Sequence, residues 1–187
     1  MPDASVLGAV KALGGERRRR VLCAWLFAAA SVADPVWAAA DPDWLRNWNL
    51  AFIQRPEAPS SIGRIAAEEE PGVPMLIVGT ILTPAGEPAG NVLVHAYHRD
   101  RDGFEFGYRD AELATWRLQG WAKTDELGRF WFRTIRPAAD HLGREGAHVH
   151  FTVVSDTYGR QWAPTRFIES GEFDLTVDIE LKEDADF

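Results

Sequence analysis

From Pro74 onward the chain is a succession of short apolar segments cut by turn signals, and this punctuation restricts the fold more than any other feature. Met75–Leu82 runs into Pro84-Ala85-Gly86-Glu87-Pro88, and Asn91–His98 ends in a loop that opens at Gly103. Gly120–Thr124 is followed by the turn Asp125-Glu126-Leu127-Gly128 and then by Arg129–Ile135. Ala147–Val154 and Phe173–Leu181 complete the set, the last alternating through Leu175, Val177, Ile179 and Leu181. About six short strands rich in β-branched and aromatic residues, with turns between them, predict an all-β sandwich, and a barrel of similar strand count fits the same pattern. Asp41–Pro74 reads differently, with scattered prolines and the acidic run Glu68-Glu69-Glu70, and is expected to form a short N-terminal arm. Within it Trp44, Trp48 and Phe52 share one face of a predicted helix over Asp43–Phe52, capped by Asp41 or Asp43 and docked on the sandwich.

The first forty residues read as an address. Arg17, Arg18, Arg19 and Arg20 precede the uncharged apolar stretch Val21–Ala33, and Ala38-Ala39-Ala40 supplies the small residues of a cleavage site. The apolar stretch is shorter than the roughly 20 residues of a spanning helix, so the expectation is a signal peptide over 1–40 and no stable membrane insertion after its removal. The protein is then exported, periplasmic or extracellular, and the adjacent arginines also admit the twin-arginine route. This divides the chain into signal peptide 1–40, arm 41–74 and sandwich 75–187.

Charge and cysteine narrow the function classes. The chain carries 28 acidic and 20 basic residues, a formal charge of −8. Residues 1–40 hold 5 of the basic and 3 of the acidic ones, so the remainder is more acidic still, at about −10. The electrostatic footprint of a nucleic-acid binder is missing. One Cys, at position 23, excludes an internal disulfide and a thiolate zinc site. Neither a Gly-x-Ser-x-Gly elbow nor a Gly-rich phosphate loop occurs.

The sharpest local feature is Ala147-His148-Val149-His150-Phe151-Thr152-Val153. A strand alternates faces, so Ala147, Val149, Phe151 and Val153 point one way and His148 and His150 the other. Two imidazoles roughly 6 to 7 Å apart at Cα can close on one metal ion; two solvated histidines fit the pattern equally. Loop candidates to join them are Glu105 and Tyr108 in Gly103–Tyr108, with Asp140 and His141 ahead of the strand. Two imidazoles with one carboxylate suit non-haem iron, and several imidazoles with one carboxylate suit zinc. His95 and His98 lie three apart on a predicted strand, on opposite faces, so at most one of them can join.

Taken together, Gly79–Val94, Gly120–Pro137 with its Thr-Asp-x-x-Gly-x-Phe-x-Phe-x-Thr-Ile-x-Pro run, and Ala147–Phe151 resemble the intradiol ring-cleavage dioxygenases. The resemblance runs from about Gly79 to the strand near Leu181. It implies an immunoglobulin-like β-sandwich holding Fe(III) between two Tyr and two His. It further implies that a small catecholic or related aromatic substrate reacts with O₂ and opens between its hydroxyls to a muconate-type diacid. His148 and His150 fit the family's histidines. One family tyrosine falls near Glu105, with Tyr108 three residues on, and the other falls at Asp140 or, with a slip of one, at His141. The family's charged residue before the histidines corresponds to Arg144, one position off, and its later glutamine to Arg166. With carboxylates in place of phenolates, iron shifts toward Fe(II), and zinc stays open. Two functions follow: a non-haem iron dioxygenase with an altered ligand set, or an exported sandwich that has lost catalysis and serves as a binding module. Transthyretin-like and carboxypeptidase-regulatory sandwiches also explain the strands but give the paired histidines no role. A homo-oligomer is left open.

Overall fold

The computed structural model describes residues 41–106 and 115–187. The expected signal peptide and Tyr108 therefore lie outside the described residues. Helix α1, Pro42–Ile53, starts where the sequence prescribes: the Asp41 carboxylate accepts from the backbone N–H groups of Asp43 and Trp44, both at 2.9 Å. Pro42 takes the first helical position, where its missing N–H costs nothing.

Among the described residues nine strands follow: β1 Ile62–Arg64, β2 Pro74–Leu82, β3 Leu93–His98, β4 Leu118–Lys123, β5 Arg129–Ile135, β6 His148–Ser155, β7 Gly159–Trp162, β8 Arg166–Phe167 and β9 Asp174–Glu180. They form two sheets, in the orders β1-β5-β2-β9 and β4-β3-β6-β7, with the short β8 paired to β6. The fold is thus the expected all-β sandwich. Neighbours pair antiparallel except β1 with β5 and β2 with β9.

One core lies between the sheets. Ile77, Ile81, Phe130, Phe132, Leu175, Val177 and Ile179 face Val94, Ala96, Val149, Phe151 and Val153, all nearly inaccessible. The first sheet keeps its other face in water, which is why β9 alternates buried and exposed at every step. The second sheet is buried on both faces. Its outer face is covered by α1, where Trp48 and Ala51 pack with Tyr97, Trp116 and Trp121. That double burial produces the run of five buried residues in β3, where simple alternation is lost.

Gly79 illustrates how closely the first sheet is fitted. It pairs with Phe130, and a Cβ built on it would lie 2.1 Å from the Phe130 ring. Phe130→Ala is expected to destabilise by about 3 to 5 kcal/mol and Gly79→Ala by about 1 to 3 kcal/mol, from lost packing and overpacking respectively. Urea denaturation measures both; a neutral Gly79→Ala would show that the ring is not seated there.

Candidate functional site

The outer face of the second sheet carries the paired histidines. On β6 the alternation sends Val149, Phe151 and Val153 into the core, which leaves His148, His150 and Thr152 on the other side. The two imidazoles are nearly perpendicular, with ring centroids 4.5 Å apart and Nε2 atoms 2.8 Å apart. His148 Nδ1 lies 2.7 Å from the Gly146 carbonyl, which can only accept. Nδ1 therefore donates to that carbonyl, and Nε2 is the ring nitrogen that faces His150. His150 Nδ1 lies 3.3 Å from the Thr165 hydroxyl. The His150 ring stacks on Tyr97, its pairing partner on β3, at 4.7 Å. Burial, followed by the neighbouring His148 and Arg99, lowers the His150 pKa to about 4. The imidazole is neutral near pH 7, as a metal ligand must be.

Beside the pair, three carboxylates gather on one guanidinium. Arg99 donates through Nη2 to Glu145 Oε2 at 2.7 Å. The same nitrogen is 3.9 Å from Glu105 Oε2, and Arg99 Nε is 4.0 Å from Asp140 Oδ1. Glu105 also accepts from the Trp116 indole at 3.0 Å. Burial raises its pKa, against the opposing pull of Arg99 and of Trp116. Asp140 is buried, which by itself would raise its pKa; the bonds and charge of Arg144, with Arg99 behind them, outweigh this and hold it low. Glu145 is lowered by its bond to Arg99.

The sequence candidates divide accordingly. His148 and His150 meet; Glu105 and Asp140 come near them through Arg99. His141 is turned to the Gly103 carbonyl at 3.3 Å and stacks on Phe104. Arg144 binds Asp140 at 3.1 Å with most of its side chain exposed. Arg166 donates to the Thr176 carbonyl on β9, away from the pair. His95 sits on the same outer face bonded to Gln119, and His98 on the opposite face bonded to Thr134. Sequence reading missed Arg99 and Glu145. The available signals were a charge-dense loop after β3 and a carboxylate three residues ahead of His148, where its Oε2 lies 4.0 Å from His148 Nε2.

Two cavities flank these residues. One of about 290 Å³ is bounded by Trp44, Tyr97, His150, Trp162 and Thr165. Another, about 260 Å³, is lined by Arg99, Phe104, Glu105, Asp140 and Arg144. A larger groove of about 440 Å³ along β2 and β5 carries no imidazole.

The pair suits a metal ion. Nitrogens 2.8 Å apart reach one ion at the usual bond length of about 2.1 Å, and Gly146 and Thr165 supply the outer hydrogen bonds that orient such ligands. Among the described residues no phenolate stands beside the pair as a free ligand, and Tyr108 lies outside them. Tyr97 accepts from the Trp44 indole and burial raises its pKa, while Tyr158 packs against the core between the sheets. Among the described residues no three His, Cys, Asp or Glu side chains are preassembled around an ion.

Comparison with known proteins places this arrangement. A family model described as "Dioxygenase" matches residues 50–174, a span that holds both histidines and Glu105, Asp140 and Glu145. Catechol 1,2-dioxygenase 1 of Acinetobacter lwoffii is 33% identical over 111 residues, covering 50% of this chain and 35% of that protein. Chlorocatechol 1,2-dioxygenase of Pseudomonas sp. (strain P51) is 27% identical over 107 residues, covering 49% of this chain and 42% of that one. The chain thus matches less than half the length of these curated relatives. Among solved structures, catechol 1,2-dioxygenase of Acinetobacter sp. ADP1 superposes with a TM-score of 0.53 at 22% identity, covering 67% of this chain and 58% of that one. The dioxygenase domain of a dioxygenase carbohydrate-binding fusion from Streptomyces sp. SirexAA-E gives 0.52 at 19% identity, covering 70% and 92%. These structures share the fold, and with the family match over most of the chain the conclusion follows that this protein belongs to the intradiol ring-cleavage dioxygenase family.

Proposed function

We propose that the protein is a metal-dependent dioxygenase of small catecholic or related aromatic compounds, with iron held by His148, His150 and a carboxylate from the neighbouring loops. The observation that carries this reading is the convergence of the two Nε2 atoms beside a cavity walled by Trp44, Tyr97 and Trp162. Iron, when bound, supplies the redox contact between an aromatic diol and O₂. The chain's own residues do the rest. The indole and phenol rings give a flat aromatic ring apolar faces to lie against and keep water from it. Thr165 and Gly146 hold the imidazoles in register through their Nδ1 atoms. Glu105 is the group suited to take a hydroxyl proton at Oε2, because burial has already raised its affinity for one. Export outside the cytoplasm, read from residues 1–40, belongs to the same proposal.

A specific observation favours the alternative of a non-catalytic module. The carboxylates Glu105, Asp140 and Glu145 all lie within 4.0 Å of Arg99, which already supplies them with a positive charge.

Oxygen uptake by the iron-loaded protein with a panel of catechols and hydroxylated aromatics separates the two. The expected result is uptake with at least one diol that His148→Ala abolishes. Uptake absent throughout, or unchanged in the variant, makes the module the better account.

A further inference from the structure

Three carboxylates lie near the histidine pair, and they are not equally free. Asp140 is buried and held by Arg144 Nε and the Arg144 backbone N–H, with His141 Nδ1 at 3.4 Å. Glu105 is half-buried and fixed by the Trp116 indole. Glu145 is different: its side chain is 55% exposed, and its one strong tie is to Arg99. Its Oε2 is also the carboxylate oxygen 4.0 Å from His148 Nε2, so a small side-chain rotation carries it to where an ion on that nitrogen would sit.

Arg99 is the other half of the arrangement. Its side chain is 14% exposed, and its Nη1 is buried with no hydrogen-bond partner among the described residues. A guanidinium buried this far needs a carboxylate to offset its charge, and Glu145 is the nearest. A divalent ion seated on the two imidazoles would seek the same oxygen, since two histidines and one carboxylate form a favoured set for Fe(II) and related ions.

We propose that Glu145 supplies the carboxylate of the metal site and that Arg99 is its counter-ion in the metal-free protein. An arriving divalent ion and the guanidinium then exchange for one carboxylate oxygen, and Arg99 sets the metal affinity. This inference rests on the histidine pair binding metal, and its test separates the two claims.

The test is titration of the full chain with Zn(II), followed by calorimetry, and with Co(II), followed by its visible bands. Glu145→Gln is expected to weaken binding about tenfold and to change the Co(II) bands, whereas Arg99→Gln is expected to tighten binding about tenfold. Glu145→Gln made in the Arg99→Gln background is decisive. A ligand still costs about tenfold there, while a residue that acted only by restraining Arg99 costs nothing. If Arg99→Gln does not fold, as judged by circular dichroism, Glu145→Gln alone decides through the Co(II) bands, and unchanged bands overturn the proposal. Binding that His148→Ala abolishes but that these variants leave unchanged overturns the roles of Glu145 and Arg99 alone. No uptake by the wild-type chain overturns the metal reading and this inference with it.

Discussion

Between about pH 7 and about pH 5 the protein is expected to lose roughly 4 kcal/mol of folding stability, because two core histidines are buried as neutral imidazoles. Both are almost fully enclosed, and burial lowers each pKa to about 4 against the bonds that pull it up. The hydrogen bonds suit the neutral rings. His98 donates from Nδ1 to the Arg99 carbonyl and accepts at Nε2 from the Thr134 hydroxyl, both at 2.6 Å. His95 donates from Nε2 to Gln119 and faces the Thr152 hydroxyl, which accepts from the Trp48 indole. In the unfolded chain the same rings titrate near 6.5, so below that pH the unfolded state binds more protons and gains on the folded one. The contribution is complete above about pH 6.5 and is lost as pH falls toward about 4, at roughly 2 kcal/mol per ring by pH 5. His150, lowered to about 4 as well, adds to the loss, and Glu105, with its raised pKa, works in the opposite direction. Urea denaturation at the two pH values measures the loss, and a His95→Gln, His98→Asn double variant should reduce it to the share of His150 and Glu105, even while being less stable itself. Equal stability at both pH values in the wild type, or an undiminished loss in the double variant, would contradict the account.

The second large effect concerns the metal. His150→Ala is expected to weaken Zn(II) binding by about a hundredfold or more, since it removes one of two converging nitrogens. Thr165→Val, which leaves both imidazoles but takes away the partner of His150 Nδ1, is expected to weaken it by about tenfold. Competition with a chelating dye reads both. Equal affinity across wild type and variants would mean that the ion sits elsewhere.

Much of this was legible in the sequence where a single physical rule governs. Strands β2, β5, β6 and β9 fall within a residue or so of the segments picked out by alternation and turns, and the helix stripe of Trp44, Trp48 and Phe52 does dock on the sandwich. The three shortest strands escaped notice. Ile62–Arg64, Gly159–Trp162 and Arg166–Phe167 are too brief for a period to show, and they exist because a neighbouring edge pairs with them. At the site, alternation alone puts His148 and His150 on one face. What it cannot supply is the partner loop. Arg99 and Glu145 are 46 residues apart, and only the pairing of β3 with β6 brings their loops together. Gly103 helps hold that junction, at φ 87° and so close to the Ala139 carbonyl that a Cβ would lie 2.4 Å from it.

The central claim, an aromatic diol opened by O₂ at the His148–His150 site, is tested most directly by the product. Iron-loaded protein is incubated with a catechol that supports oxygen uptake, under isotopically heavy dioxygen, and the product is analysed by mass spectrometry. The account predicts a muconate-type diacid carrying both heavy oxygen atoms, one on each new carboxyl group, and no such product with His148→Ala. A quinone without label, or the same labelled diacid from the variant, would contradict it.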